Sequence, residues 1–166
     1  MRAMFGAMIF FVLSLPAHSL ESYVFPTTVK VTDHQMRIID AHLMVDSLFG
    51  IYFLSLMVEK KVIGTLGFFE ATDQPQLFIF ELANLSISAQ GVRGYHGVGR
   101  ALIDVLKQAK QTLGFQSISL HACRKTKYRE PTHHDVLQFY QKMGFIAVSS
   151  IEPSQEKISM IYLGNL

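Results

Sequence analysis

Leu85-Ser86-Ile87, followed by Gly94-Tyr95-His96-Gly97-Val98-Gly99-Arg100, is the stretch whose reading decides the fold. It joins an apolar run over residues 77–88 to a helical pattern over residues 99–113. The run is apolar on both faces, which predicts a strand in the middle of a sheet, with Glu81, Asn84 and Ser86 as polar interruptions. In the helix, Leu102, Leu106, Ala109 and Leu113 form the stripe to be buried. Arg100, Asp104, Lys107 and Lys110 face water, and Gly114 is the stop. Glycines in the link admit positive φ and let a ligand approach the main chain. The first turn of the helix presents N–H groups without intrahelical partners at the positive end of its dipole. Strand, glycine turn and helix start together make an anion site suited to phosphate.

Three phosphate signatures compete for these residues. A dinucleotide fingerprint needs G-x-G-x-x-G, but Gly97-x-Gly99 is followed by Leu102 where the third small residue belongs. A P-loop needs G-x-x-x-x-G-K-S/T. Gly94 to Gly99 has the glycine spacing, yet Arg100 and Ala101 replace the lysine and the hydroxyl, so nothing remains to hold magnesium. The pyrophosphate of coenzyme A needs only backbone donors and no metal, and the residues favour it.

Outward from this segment the chain reads as one domain. A strand is expected at residues 27–31. Thr32-x-x-Gln35 matches a capping box, and Met36, Ile39 and Leu43 fall on one helical face closed by Gly50, so a helix is expected there. Residues 51–58 and 62–70, joined by Glu59-Lys60-Lys61, read as a hairpin. Residues 117–123 read as a strand and 124–131 as a basic loop. Thr132-x-x-Asp135 caps a second helix ending at Met143-Gly144, and residues 145–151 and 157–163 supply two last strands. The order β-α-β-β-β-α-β-α-β-β predicts an α/β fold, a mixed and mostly antiparallel central sheet with helices on both faces.

Hydrophobic residues at 49% against 17% charged supply a substantial core and exclude a disordered chain. A net charge of +2, without a basic run, gives no footprint for nucleic acid. One cysteine, Cys123, excludes an internal disulfide framework. Residues 1–19 stand apart: Arg2, an apolar stretch over 3–15, then Pro16 and the small-x-small run Ala17-His18-Ser19. This is the pattern of a signal peptide or membrane tether, too short to span a bilayer comfortably. A buried first strand, or a start upstream of the true domain, fits the same residues. The domain proper is residues 20–166.

Residues 81–113 resemble motif A of the GNAT (GCN5-related N-acetyltransferase) superfamily: a strand, an R/Q-x-x-G-x-G/A turn, and a helix. His133-x-x-Val136-x-x-Phe139-Tyr140-x-x-x-Gly144-Phe145 resembles its motif B, N-x-x-A-x-x-F-Y-x-x-x-G-F. The resemblance covers nearly everything after residue 27. It departs from the family at two places: Gly94 stands where Arg or Gln is expected, with Arg93 one place early, and His133 stands for the usual Asn. It implies acetyl-CoA, or another acyl-CoA, as cosubstrate, with no metal. Leu85, Ser86 and Ile87 would bond the pantetheine arm through their main chain on a strand splayed from residues 117–123. The N–H groups of Gly94, Tyr95, His96, Gly97, Val98, Gly99 and Arg100 would hold the pyrophosphate, with His133 beside them. Tyr140 would protonate the departing thiolate, unless it is simply a core tyrosine beside Val136, Leu137 and Met143.

Acyl transfer to an amine also needs a base. Glu81 is the carboxylate candidate, since burial among Phe78, Phe80 and Leu82 would suit it to that work near neutrality; a glutamate at a bulge or sheet end, pairing with a lysine, is the plainer reading. His121, Cys123, His133 and His134 match no common zinc spacing. His121 reads as an acceptor-side lining residue or a packed one, and residues 124–127 as a solvated loop or a contact for the 3′-phosphate. The chain is thus expected to acylate a primary amine on a small molecule or peptide, in the cytoplasm where acetyl-CoA is found. A non-catalytic acyl-CoA-binding module on the same fold is the alternative, as is an exported binding protein resting on residues 1–19.

Overall fold

Alternation, not helical spacing, governs the residues after Thr32. The computed structural model describes residues 19–72, 74–85, 94–123, 133–149 and 157–164, except the side chains of His133 and His134. After a 3-10 turn at Leu20–Ser22, strand β1 (Thr28–Asp33) pairs antiparallel with β2 (Ile38–Leu48). The helix expected over residues 36–43 is therefore a strand. Ala41 and Leu43 are buried while Asp40, His42 and Met44 are exposed, a period of two. The apparent capping box is overridden one residue on by the carboxylate of Asp33. It accepts the N–H of Gln35 and the N–H of Arg37, both at 2.9 Å, while Met36 turns through φ 62°. That local ring of bonds closes a hairpin where a helix start was expected.

β3 (Ile51–Val58) and β4 (Lys61–Glu70) form the expected hairpin, turning on Glu59 and Lys60 with φ of 49° and 65°. Positive φ at both central positions is the type I′ geometry that matches strand twist. β5 (Gln76–Asn84) follows β4 antiparallel, then β6 (Tyr95–His96), helix α1 (Val98–Leu113), β7 (Ser117–Cys123), helix α2 (His133–Lys142), β8 (Ile146–Ala147) and β9 (Lys157–Tyr162). The sheet order is β6-β1-β2-β3-β4-β5-β7-β9-β8, and β5–β7 is the one parallel pair among the described strands. The mixed, mostly antiparallel sheet is as expected, and β5 lies in its interior.

α1 buries Leu102, Leu106 and Ala109 of the expected stripe and Ile103 and Val105 beside them, while Leu113 is half-buried. Each fully buried aliphatic side chain contributes about 1.5–3 kcal/mol. Lys107 and Lys110 do not face water, however. The Nζ of Lys107 donates to the carbonyl of Met143 at 2.6 Å and stands 4.4 Å over the Tyr162 ring. Lys110 is buried and donates to the carbonyl of Leu163 at 3.0 Å. Burial pushes the pKa of both ammonium groups down.

The expectation of helices on both faces narrows. A Cβ at Gly99 would lie 3.2 Å from the Phe139 ring, so α1 and α2 lie side by side on one face. Ile118, Leu120 and Ala122 of β7 are buried there, with Leu66 and Phe68 of β4. The opposite face of β3, β4, β5 and β7 carries no helix among the described residues.

Candidate functional site

The parallel ladder between β5 and β7 runs for four pairs, from Gln76 opposite Ser117 to Ile79 opposite Leu120, and stops. Both strands continue, β5 to Asn84 along β4 and β7 to Cys123 along β9. The sheet is therefore split beyond Ile79, with Phe80–Asn84 on one lip and His121–Cys123 on the other. A bulge marks the split. Gly67 pairs with Glu81 and Phe68 with Ile79, so Phe80 is the extra residue that bends β5 away.

Register decides which main-chain groups face the split. The N–H of Leu85 donates to the carbonyl of Ile63 at 2.9 Å, toward β4. Along an antiparallel pair such bonds fall on alternate residues. Glu81, Ala83 and Leu85 thus turn their backbone to β4, and Leu82 and Asn84 turn theirs to the split. This corrects the assignment of Leu85 to the pantetheine arm. Ser86 and Ile87, the other two residues given that role, lie outside the described residues. The sequence did not single out Leu82, because only the bonding register across to β4 shows which way its main chain turns.

Across the link, Gly97 adopts φ 76° and caps α1, and the first intrahelical bond is from the N–H of Ala101 to the carbonyl of Gly97 at 2.9 Å. The N–H groups of Val98, Gly99 and Arg100 precede that bond, as at any helix start. The rest of the expected cradle is placed otherwise. Tyr95 and His96 pair with Asp33 and Thr32 as the edge strand β6. Gly99 owes its missing side chain to the approach of Phe139, and Gly64 of β4 to Val98, whose side chain occupies the place of a Cβ. Arg100 is exposed.

Tyr140 packs edge-on against Phe139 and Phe145, with ring centroids at 5.2 and 5.7 Å. Burial, and secondarily the thiol of Cys123, push its pKa up to about 12. The phenol therefore keeps its proton across the physiological range, at the end of β7 where the split opens. Glu81 is exposed, so its expected burial among Phe78, Phe80 and Leu82 does not occur. It shares the helix-free face with Gly67, since its neighbour Leu82 turns toward Gly99 on the helix side. The Phe80 ring lies over Gly67, and Phe53 and Phe69 meet it at 5.8 and 6.3 Å. His121 is on this face too, edge-on to Phe78 at 5.2 Å and with Nδ1 3.1 Å from the Ser159 hydroxyl. His133 begins α2, with its side chain outside the description, and residues 124–132 also lie outside it.

No family model matches the chain. No curated protein matches its sequence. Solved structures do match. PaiA N-acetyltransferase from Thermoplasma acidophilum, in complex with coenzyme A, is 15% identical over 69% of this chain, with a TM-score of 0.52. This chain spans 62% of that one. The fold is that of the GNAT superfamily. A GNAT family acetyltransferase from Elizabethkingia anophelis, with acetyl-CoA bound, gives 13% identity and a TM-score of 0.51 over 69% of this chain and 76% of that one. Nourseothricin acetyltransferase gives 15% and 0.51 over 84% and 85%. The GNAT fold thus agrees with motif A and motif B, and the split beyond Ile79 stands where the sequence placed a splayed strand. Among the described residues no helix is long and apolar enough to cross a membrane.

Proposed function

We propose that this chain is an acyl-CoA-dependent N-acyltransferase that moves an acetyl or short acyl group to a primary amine. The observation that carries the reading is the split between β5 and β7, flanked by the start of α1. The main chain of Leu82 would bond a pantetheine amide as a missing strand would. The N–H groups of Val98, Gly99 and Arg100 would hold the pyrophosphate.

In the reaction the amine attacks the thioester carbonyl, the new C–N bond forms, and the C–S bond breaks. Glu81, exposed on the helix-free face, takes the amine's proton directly or through water. Tyr140 points to a particular role. A phenol at about 12 would give its proton to a thiolate of ordinary pKa, about 8.5, only at a cost of about 5 kcal/mol. Tyr140 therefore serves as a hydrogen-bond donor to the departing sulfur, and the proton released by the amine completes the thiol. The acceptor is a small molecule or peptide amine, and the compartment is the cytoplasm, which supplies acetyl-CoA.

Calorimetric titration with acetyl-CoA tests the first half: binding in the micromolar range is expected, and none at high micromolar concentration defeats the reading. Thiol release across a panel of amines tests the second. Glu81→Gln should lower that release about 100-fold or more while leaving acetyl-CoA binding intact. Binding without release from any amine would favour the non-catalytic module.

A further inference from the structure

In a regular strand, neighbouring side chains point to opposite faces. The bulge in β5 suspends that rule at one place. Phe80 packs against Phe53 and Phe69 on the helix-free face, and Glu81, opposite Gly67, emerges on the same face. A phenyl ring and a carboxylate thus stand side by side at the first two positions of the lip, just where the ladder to β7 has ended. Gly67 provides the seat for the ring: a Cβ there would lie 2.5 Å from the Cζ of Phe80. Seated on bare backbone, the ring is still 45% exposed.

Phe80 belongs to a row of rings. Phe53 meets it edge-on and Phe69 lies nearly parallel to it, and the row continues through Phe78 to His121 in two steps of 5.2 Å. The row is an aromatic floor reaching from β3 to the far lip of the split. Its near end carries two exposed carboxylates, Glu81 beside Phe80 and Asp46 across from Phe53 on β2. The lysines of this face are placed elsewhere: Lys30 is held by Asp40 at 2.6 Å, and Lys157 stands beyond the split, opposite Cys123. Rings pack edge-on or offset against other rings, and a cation is drawn both to a ring face and to a carboxylate. The combination therefore suits a cation joined to an aromatic body. A hydroxylated body would leave its polar groups against rings that cannot bond them.

We propose that the acceptor is an arylalkylamine, a primary amine joined by a short alkyl arm to an aromatic ring, and that Phe80 is the residue that selects it. This rests on the transferase reading above. The amine nitrogen would lie at Glu81 and the ring on Phe80, one residue back along the lip. The products are an N-acyl arylalkylamine and coenzyme A as free thiol.

The test compares thiol release from acetyl-CoA with 2-phenylethylamine and with 2-methoxyethylamine, two amines of similar basicity. In the full chain kcat/KM should be about 10-fold or more higher for the aromatic amine, through a lower KM. Phe80→Leu should reduce that ratio about 5-fold. Gly67→Ala keeps the ring but fills its seat, and should move the ratio the same way. Equal kcat/KM for the two amines overturns the proposal and leaves the transferase reading standing. So does release from other amines but from neither of these, or an unchanged ratio in Phe80→Leu. No release from any amine overturns both. If Phe80→Leu fails to fold, the ratio in Gly67→Ala decides.

Discussion

Tyr140 shows how packing sets chemistry at a single residue. Wedged between Phe139 and Phe145, its hydroxyl stays protonated to about pH 12. An unfolded tyrosine ionises near pH 10. Below that value the phenol is neutral in both states and stability is unaffected. As pH rises from about 10 to about 12, only the unfolded chain releases this proton. Stability should then fall by about 2–3 kcal/mol, and Tyr140→Phe should remove that part of the decline in alkaline denaturation curves. The same substitution should lower thiol release about 10- to 100-fold without weakening acetyl-CoA binding, the effect of losing one donor to a charged sulfur. The helix position of Tyr140 was legible in motif B, but its surroundings were not, since Phe145 and Cys123 reach it from other elements. Glu81 shows the opposite case. The run 77–88 read as apolar on both sides with Glu81 as an interruption that a bulge would also explain, and the bulge at Phe80 is what turns Glu81 outward.

At the scale of elements, the glycine link divides into parts with different reasons. Gly97 was legible because a turn into a helix needs positive φ. Gly99 and Gly64 make room for Phe139 and Val98, and only tertiary contact explains them. The error over residues 36–43 has a similar cause. Ile39 and Leu43 suit a helix face as well as alternate positions of a strand, and the carboxylate of Asp33 breaks the tie. Lys107 and Lys110 looked like solvated helix residues, yet they stitch α1 to the ends of α2 and β9. Lys107→Met keeps the stem but leaves the Met143 carbonyl without its charged donor. It should destabilise the fold by about 1–3 kcal/mol and lower the melting temperature by several degrees, with acetyl-CoA binding unchanged.

Over the whole molecule, the central strand, the helix after it and the presence of the last strands were readable from local pattern, whereas the sheet order that places β9 between β7 and β8 was not. The bareness of one sheet face was not, since it follows from the replacement of a single helix by a strand. The four-pair ladder between β5 and β7 has a mechanical consequence. Six strands, β6 with β1–β5, lie on one side of it, and β7, β9 and β8 on the other. Within the sheet the protein is two plates held along a short seam that has come unstitched beyond Ile79. A cosubstrate lying in that gap would act as thread, lacing one plate to the other. Amide exchange in residues 120–123 and 80–84 should slow when acetyl-CoA is added, while β1–β2, far from the seam, should exchange as before.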